Sequence, residues 1–260
     1  MRDEKRQSGP ERFRHERRQV VQEKVFRMIV NGREFLSLIA SPHDPESLVI
    51  GFLFLQGLIR DQSDIVSLGI CRDSGQVVTT IKAELPEQLR PTLTSGCGGG
   101  IVFDDPNATQ PERLRFRTRQ YSDDNIHAAM AELFQASQKY SLHGGIHSAG
   151  LHDGQTMVLS AEDLGRHNSI DRLAGLALMA DIDMVGHLLL TSGRISSEMA
   201  VKASRLGVAV IASRTSPTDL AVEVCRRSEI GLAGYVRGGA MQVYVDNGCF
   251  NPPEGLREDD

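Results

Sequence analysis

His187-Leu188-Leu189-Leu190-Thr191-Ser192-Gly193-Arg194-Ile195-Ser196-Ser197-Glu198 passes from an apolar run of strand length into a polar turn that opens a helix. The run is short and unbroken, as a strand buried on both faces requires, and a helix is predicted over Ser196 to Leu206. The same unit recurs on either side. Upstream, Met157 to Leu159 reads as a strand and Ser169 to Met179 as a helix. Downstream, Val208 to Ala212 is a strand and Pro217 to Arg226 a helix, and Gly231 to Val236 with Met241 to Val245 close the series. Strands alternating with helices of this length imply crossover connections and a largely parallel, covered sheet. In such sheets ligands gather at the carboxyl ends of the strands.

The chain before this series has another character. Val25 to Val30 and Phe35 to Ala40 flank Asn31-Gly32, a dipeptide that tolerates positive φ and suits a two-residue hairpin turn. Asp44-Pro45-Glu46 supplies a cap, a first-position proline and an acidic first turn for a helix running to about Arg60. Ile65 to Cys71 and Val77 to Leu85 read as a further strand pair across Asp73-Ser74-Gly75. Asp104 to Gln120, with Pro106, Asn107 and Pro111, reads as a connection, and Ser122 to Tyr140 as a capped helix with Ile126, Ala129, Met130, Leu133 and Phe134 on one face. The organisation expected is therefore a solvated charged tail over 1–19, a small α+β lobe over 20–118 and a larger α/β domain over 119–260.

Composition narrows the function classes. The 260 residues are 40% hydrophobic and 24% charged, with a formal net charge of -5, which argues against a dedicated nucleic-acid or membrane-surface binder. The longest apolar run, Leu48 to Ile59, falls short of the roughly 20 residues that cross a bilayer. The first thirty residues lack a secretory pattern, so a reducing, cytoplasmic setting is expected. Cys71, Cys97, Cys225 and Cys249 are too far apart in sequence for a Cys-x-x-Cys pair.

Polar chemistry concentrates in the loops. Glu162-Asp163-Leu164-Gly165-Arg166-His167-Asn168-Ser169 sets both charge signs and an imidazole between a strand and a helix. Arg166 suits a phosphate and His167 a proton donor or acceptor, and an internal salt-bridge knot is the competing account. Ser192-Gly193-Arg194 and Ser213-Arg214-Thr215-Ser216-Pro217 repeat a small-hydroxyl, arginine pattern fitted to anions at helix starts. Tyr235-Val236-Arg237-Gly238-Gly239-Ala240 adds an aromatic ring, an arginine and a flexible turn. Arg166, Arg194, Arg214 and Arg237 together would suit a ligand with several phosphates. His143 and His147 sit among glycines with no acidic third ligand, so a hydrogen-bonding role for His147 beside a ligand is favoured over a metal, a merely structural loop is the competing account, and His152 is left without a role.

One cysteine stands apart. In Thr94-Ser95-Gly96-Cys97-Gly98-Gly99-Gly100, four glycines make an uncrowded arm around a thiol, which is either a reactive arm or a surface loop that holds a cysteine.

The motifs around Arg166, Arg194, Arg214 and Tyr235 to Gly239, in order and within a match running from about Val25 to Val245, resemble the FdhD family of formate dehydrogenase accessory sulfurtransferases. The resemblance implies a three-layer, cytidine-deaminase-like domain with a mostly parallel sheet, and a homodimer. It implies that Cys97 accepts persulfide sulfur from a cysteine desulfurase. The recipient would be the molybdenum bis(molybdopterin guanine dinucleotide) cofactor, destined for the catalytic subunit of formate dehydrogenase. Tyr235, Val236, Arg237, Gly238, Gly239 and Ala240 match the family's cofactor-binding segment, with Arg194, Arg214, Arg166 and His167 expected alongside, and no resident metal is implied. The guanine and phosphates are expected between the Arg194, Arg214 and Tyr235 to Ala240 loops. Gly100 stands where the family commonly has a second cysteine, so this loop cannot close a local disulfide. A non-catalytic chaperone for the same cofactor is the alternative. A deaminase-type zinc hydrolase is disfavoured because its His-x-Glu and Pro-Cys-x-x-Cys ligands are absent from the sequence.

Overall fold

The structure, a computed structural model, describes residues 20–85, 92–93, 101–102 and 119–251. The charged tail 1–19, the cysteine-bearing residues 94–100 and the connection over 103–118 lie outside the described residues.

The first lobe is built as its sequence pattern requires. β1 (Lys24–Val30) and β2 (Arg33–Ala40) pair antiparallel, and Asn31 and Gly32 make the turn with φ of 50° and 75°. Phe26, Met28 and Val30 alternate inward from β1 onto α1 (Pro45–Leu55). Helix α1 stops short of the expected Arg60 because Gly57 turns to φ 73° and the Leu58 N–H donates back to the Leu53 carbonyl. The expected carboxylate cap is also absent: the Asp44 side chain makes no capping bond, and its carbonyl instead accepts from Ser47 Oγ at 2.8 Å. β3 (Ile65–Cys71) and β4 (Gln76–Ile81) complete a four-stranded sheet in the order β2-β1-β4-β3, with β1 and β4 parallel. β5 (Thr92–Leu93) and β6 (Ile101–Val102) pair antiparallel on either side of residues 94–100.

β7 (Tyr121–Ser122) leads into α2 (Asp123–Ala136), whose start is a capping box between Ser122 and Asn125. The single helix expected to Tyr140 is broken at Ser137, and α3 (Gln138–His143) restarts where the Glu162 carboxylate accepts the Lys139 and Tyr140 N–H groups at 3.0 and 2.7 Å. The elements that follow are β8 (His147–His152), β9 (Met157–Asp163), α4 (Arg166–Met179) and β10 (Leu188–Thr191). Then come α5 (Ser197–Leu206), β11 (Val210–Ser213), α6 (Asp219–Arg227), β12 (Gly231–Arg237) and β13 (Ala240–Val245). β14 (Phe250–Asn251) pairs with β7.

The large sheet has the order β13-β12-β11-β10-β8-β9 and corrects the expectation of a mostly parallel sheet. Only β10, β11 and β12 run parallel; β13, β8 and β9 are each antiparallel to their neighbours. The cause is β8, which a glycine-rich reading makes a loop. Its small residues serve packing instead: a Cβ on Gly150 would lie 2.8 Å from Met157 Sδ and 3.0 Å from Leu133 Cδ1. Helices α4, α5 and α6 pack on one face of this sheet and α2 on the other, giving two separate apolar layers.

The lobes are fastened through α1 and α4. A Cβ on Gly51 would lie 2.6 Å from Gly175 N and closer still to Asp171 O, so the two helix backbones touch. Beside this crossing, Arg172 is 1% exposed and its guanidinium donates to Asp163 Oδ2 at 2.6 Å, to Ser41 O at 2.6 Å, to Asp44 O at 2.8 Å and to His43 O. Asp163 also accepts from Asn168 Nδ2 and from the Ser41 and Gly165 N–H groups. Burying this pair is tolerable because the hydrogen bonds satisfy nearly all its donors and acceptors.

Candidate functional site

The carboxyl ends of β10, β11 and β12 share one rim, and their loops are tied together. Ser213 Oγ donates to Gly193 O at 2.7 Å, the Arg214 N–H to Thr191 O at 3.3 Å, and the Tyr235 N–H to Thr215 O at 3.0 Å. The Ile195 N–H donates to Ser216 O at 3.2 Å. These bonds hold the arginine-bearing turns in fixed relation, as a preformed site needs.

The rim has two sides. On the α4 side, His147 Nδ1 lies 3.2 Å from Ser192 Oγ, and Gly193 is packed so closely that a Cβ would meet Arg166 Cβ at 2.9 Å and His147 Nδ1 at 3.1 Å. His167 is buried, with Nε2 2.9 Å from Glu198 Oε2 and 3.1 Å from Ser196 Oγ. Burial lowers the His167 pKa, with the Glu198 hydrogen bond opposing it; burial, then the charge of Arg166, lowers that of His147. The motif read as both ligand grip and internal knot thus divides. Asp163 and Asn168 belong to the inter-lobe fastening, while Arg166 and His167, expected in a loop, lie buried in the first turn of α4.

On the α2 side lies a cleft of about 360 Å³, lined by His127, Met130, Ala131 and Phe134 from α2, by Arg214, and by Val236, Arg237, Gly238 and Gly239. Arg214 lies over the Phe134 ring at 4.7 Å, and Arg237 lies 5.6 Å from the centre of the Tyr235 ring. Such stacking fixes a guanidinium while leaving its N–H edge free for a ligand. Tyr235 itself has φ 54°, a left-handed conformation costly for an aromatic residue. Among the described residues no carboxylate pairs with Arg214 or Arg237.

The structure therefore brings together Arg214, Val236, Arg237, Gly238 and Gly239, with Tyr235 and Ala240 flanking them. It does not gather all four arginines: Arg166 is buried on the other side, and Arg194 is exposed and outside the cleft lining. Sequence reasoning missed His127 and the double role of Phe134. The signal was present, since positions 127, 130, 131 and 134 share one helical face. Two cavities of about 690 and 600 Å³ are larger, but they flank β1 and β2 and the Ser41 to His43 loop, away from the rim.

Cys97 lies outside the described residues. Of the described thiols, Cys225 and Cys249 are buried, with burial pushing Cys225 up to about 12 and Cys249 upward. Cys71 is exposed, and hydrogen bonds from Ser74 lower its pKa. Among the described residues no group of three His, Cys, Asp or Glu side chains is arranged for a metal, and no helix is long and apolar enough to cross a membrane.

Residues 21–249 match the FdhD/NarQ family. A protein of Bacillus pumilus named sulfur carrier protein FdhD is 33% identical over 231 residues, covering 87% of this chain and 88% of that one. The protein of the same name from Bacillus subtilis is 34% identical over 235 residues, covering 89% and 87%. A solved structure from Desulfotalea psychrophila, assigned as a formate dehydrogenase accessory protein, superposes with a TM-score of 0.69 at 24% identity, covering 89% of this chain and 90% of that one. At that identity the likeness speaks to the fold.

Proposed function

Because the chain belongs to the FdhD/NarQ family, we propose that it is a sulfur carrier serving formate dehydrogenase, with Cys97 as the carrier thiol. The Cys97 thiolate attacks the terminal sulfur of a persulfide on a cysteine desulfurase. A new sulfur–sulfur bond forms, the donor's bond breaks, and the donor cysteine leaves as a thiolate. Cys97 then hands this sulfur to the molybdenum bis(molybdopterin guanine dinucleotide) cofactor bound as substrate: the Cys97 sulfur–sulfur bond breaks, Cys97 leaves as a thiolate, and the two electrons that take the outer sulfur to the sulfide level come from the metal of that substrate in its reduced form, which makes the protein a sulfurtransferase. The homodimer, the cytoplasmic setting and the cytidine-deaminase-like assignment of the larger domain belong to the same proposal, the last supported by helices on both faces of its sheet.

The observation that carries the cofactor reading is the pair Arg214 and Arg237. Each lies over an aromatic ring, both line one cleft, and among the described residues no carboxylate pairs with either. A guanine dinucleotide's pyrophosphate supplies the charge such a cleft lacks. With Gly100 in place of a second thiol, this loop cannot release the sulfur by closing a local disulfide.

The test is to incubate the full chain with a cysteine desulfurase and cysteine, then weigh its peptides. One added sulfur on the Cys97 peptide, lost in Cys97→Ala, is expected. An unmodified Cys97, under conditions that load a control acceptor, would leave the cofactor-chaperone reading in its place.

A further inference from the structure

We infer that α2 supplies the second wall of an anion site in the arginine cleft, with His127 as a direct ligand to a phosphate group and Phe134 as the positioning residue for Arg214. The inference rests on the cofactor reading above and names the residues through which that site would select its ligand.

Helix α2 comes from a different layer than the strand-end loops, and it lines the cleft along its whole facing side with His127, Met130, Ala131 and Phe134. These residues have unlike surroundings. Met130 is 4% exposed and belongs to the apolar layer beneath the helix. His127 is only partly buried and makes no hydrogen bond or ion pair among the described residues, whereas His43, His147, His152 and His167 each have a polar partner at 3.4 Å or less. An imidazole without a partner among the described residues, beside two guanidinium groups with no carboxylate among them either, is a donor available to an anion.

Phe134 acts differently. Its ring lies under Arg214 at 4.7 Å and meets Tyr140 edge-on at 5.4 Å between centroids, so it is itself held in place. Without the ring, Arg214 is a long side chain with its full rotamer freedom. With it, the guanidinium is held over the ring at the cleft wall, and less of that freedom is lost when a ligand binds. Opposite, Gly238 and Gly239 have φ of 61° and 74°, and nothing lies within 4 Å of where their side chains would be. That leaves an open approach for a ligand to the turn. A volume of about 360 Å³ suits one nucleoside diphosphate rather than a whole dinucleotide. The ligand class is a phosphate ester carrying a planar base.

The experiment titrates the full chain with GDP, GMP and inorganic pyrophosphate by calorimetry, with circular dichroism confirming that each variant is folded. Phe134→Leu should weaken GDP and pyrophosphate about fivefold, the loss of one cation–π contact, and Phe134→Tyr should restore them. His127→Gln should weaken pyrophosphate about tenfold, the loss of a hydrogen bond to a charged group, and shrink the gap between GDP and GMP. Wild-type binding with both variants unchanged would overturn the inference and leave the cofactor reading standing. Failure of the wild-type protein to bind either GDP or pyrophosphate would remove the anion site itself, and the cofactor reading with it.

Discussion

Gly51→Ala tests the contact that fastens the two lobes. In a helix interior this change ordinarily stabilises, by about 1 kcal/mol, through chain entropy and propensity. Here the added Cβ would sit 2.6 Å from Gly175 N and closer to Asp171 O, where an ordinary contact is 3.4 to 4 Å. Both neighbours are backbone atoms of α4, so no side chain can swing aside, and the helices must part by more than 1 Å to clear the closer of the two. A smaller radial gap already forfeits a quarter to a half of each lost contact. The loss falls on the layer where Leu48, Phe52 and Leu55 are at most 2% exposed. Overpacking of this kind costs about 3 kcal/mol or more, which outweighs the propensity gain and leaves a net loss of at least ~2 kcal/mol. Against a total stability of ~5–15 kcal/mol, that is easily measured. Urea unfolding followed by circular dichroism is the assay. Gly175→Ala, facing Ser47 across the same crossing, should behave alike, and the double variant should lose less than the sum because the first substitution has already parted the helices. A Gly51→Ala protein equal to or more stable than the parent would refute the close crossing.

Two further outcomes follow from the titratable groups. His43, His147 and His167 all have pKa values lowered from 6.5, chiefly by burial. Their contribution is fully present above about pH 6.5 and is lost as pH falls through the lower folded values, because the unfolded chain takes up protons first. Stability to urea should therefore decline on acidification from pH 7 toward 5, less steeply in His167→Gln. Asp171, whose carboxyl burial raises, acts with the opposite sign near the carboxylate range. An unchanged midpoint across that window would contradict the buried neutral imidazoles. Among the described thiols, only Cys71 should be alkylated by iodoacetamide in the native protein, with Cys225 and Cys249 reacting only after unfolding; rapid native labelling of Cys225 would count against the core arrangement.

What could be read from the sequence were the elements whose pattern is local. Asn31-Gly32 specifies its own turn, Ser122 its own cap, and Leu188 to Leu190 a strand covered on both sides. What could not be read depends on partners distant in the chain. Gly150 looks like a loop residue until Leu133 and Met157 occupy the space a side chain would need. Ser137 looks helical until Glu162, far along the chain, caps the restart. The candidate site divides in the same way. That Arg214 and the Tyr235 to Ala240 segment lie near one another was legible because the ends of neighbouring parallel strands share one rim. Arg166 and Arg194 have the same chemistry, but one is buried in the first turn of α4 and the other is exposed outside the cleft lining, and neither placement is written in the local sequence. His127 was hidden because a helix face reads as core until one edge of it proves uncovered.

The crossing of α1 and α4 also has a mechanical meaning. Helix α4 begins at the rim, where Arg166 and His167 stand, and its third turn is pinned at Gly175 against α1. Backbone against backbone leaves no compliant side chain between them, so the pair behaves as a stiff rod rather than a hinge. A displacement of α1 would therefore carry α4 with it, and Arg166 and His167 beneath the rim would move as one body with the first lobe.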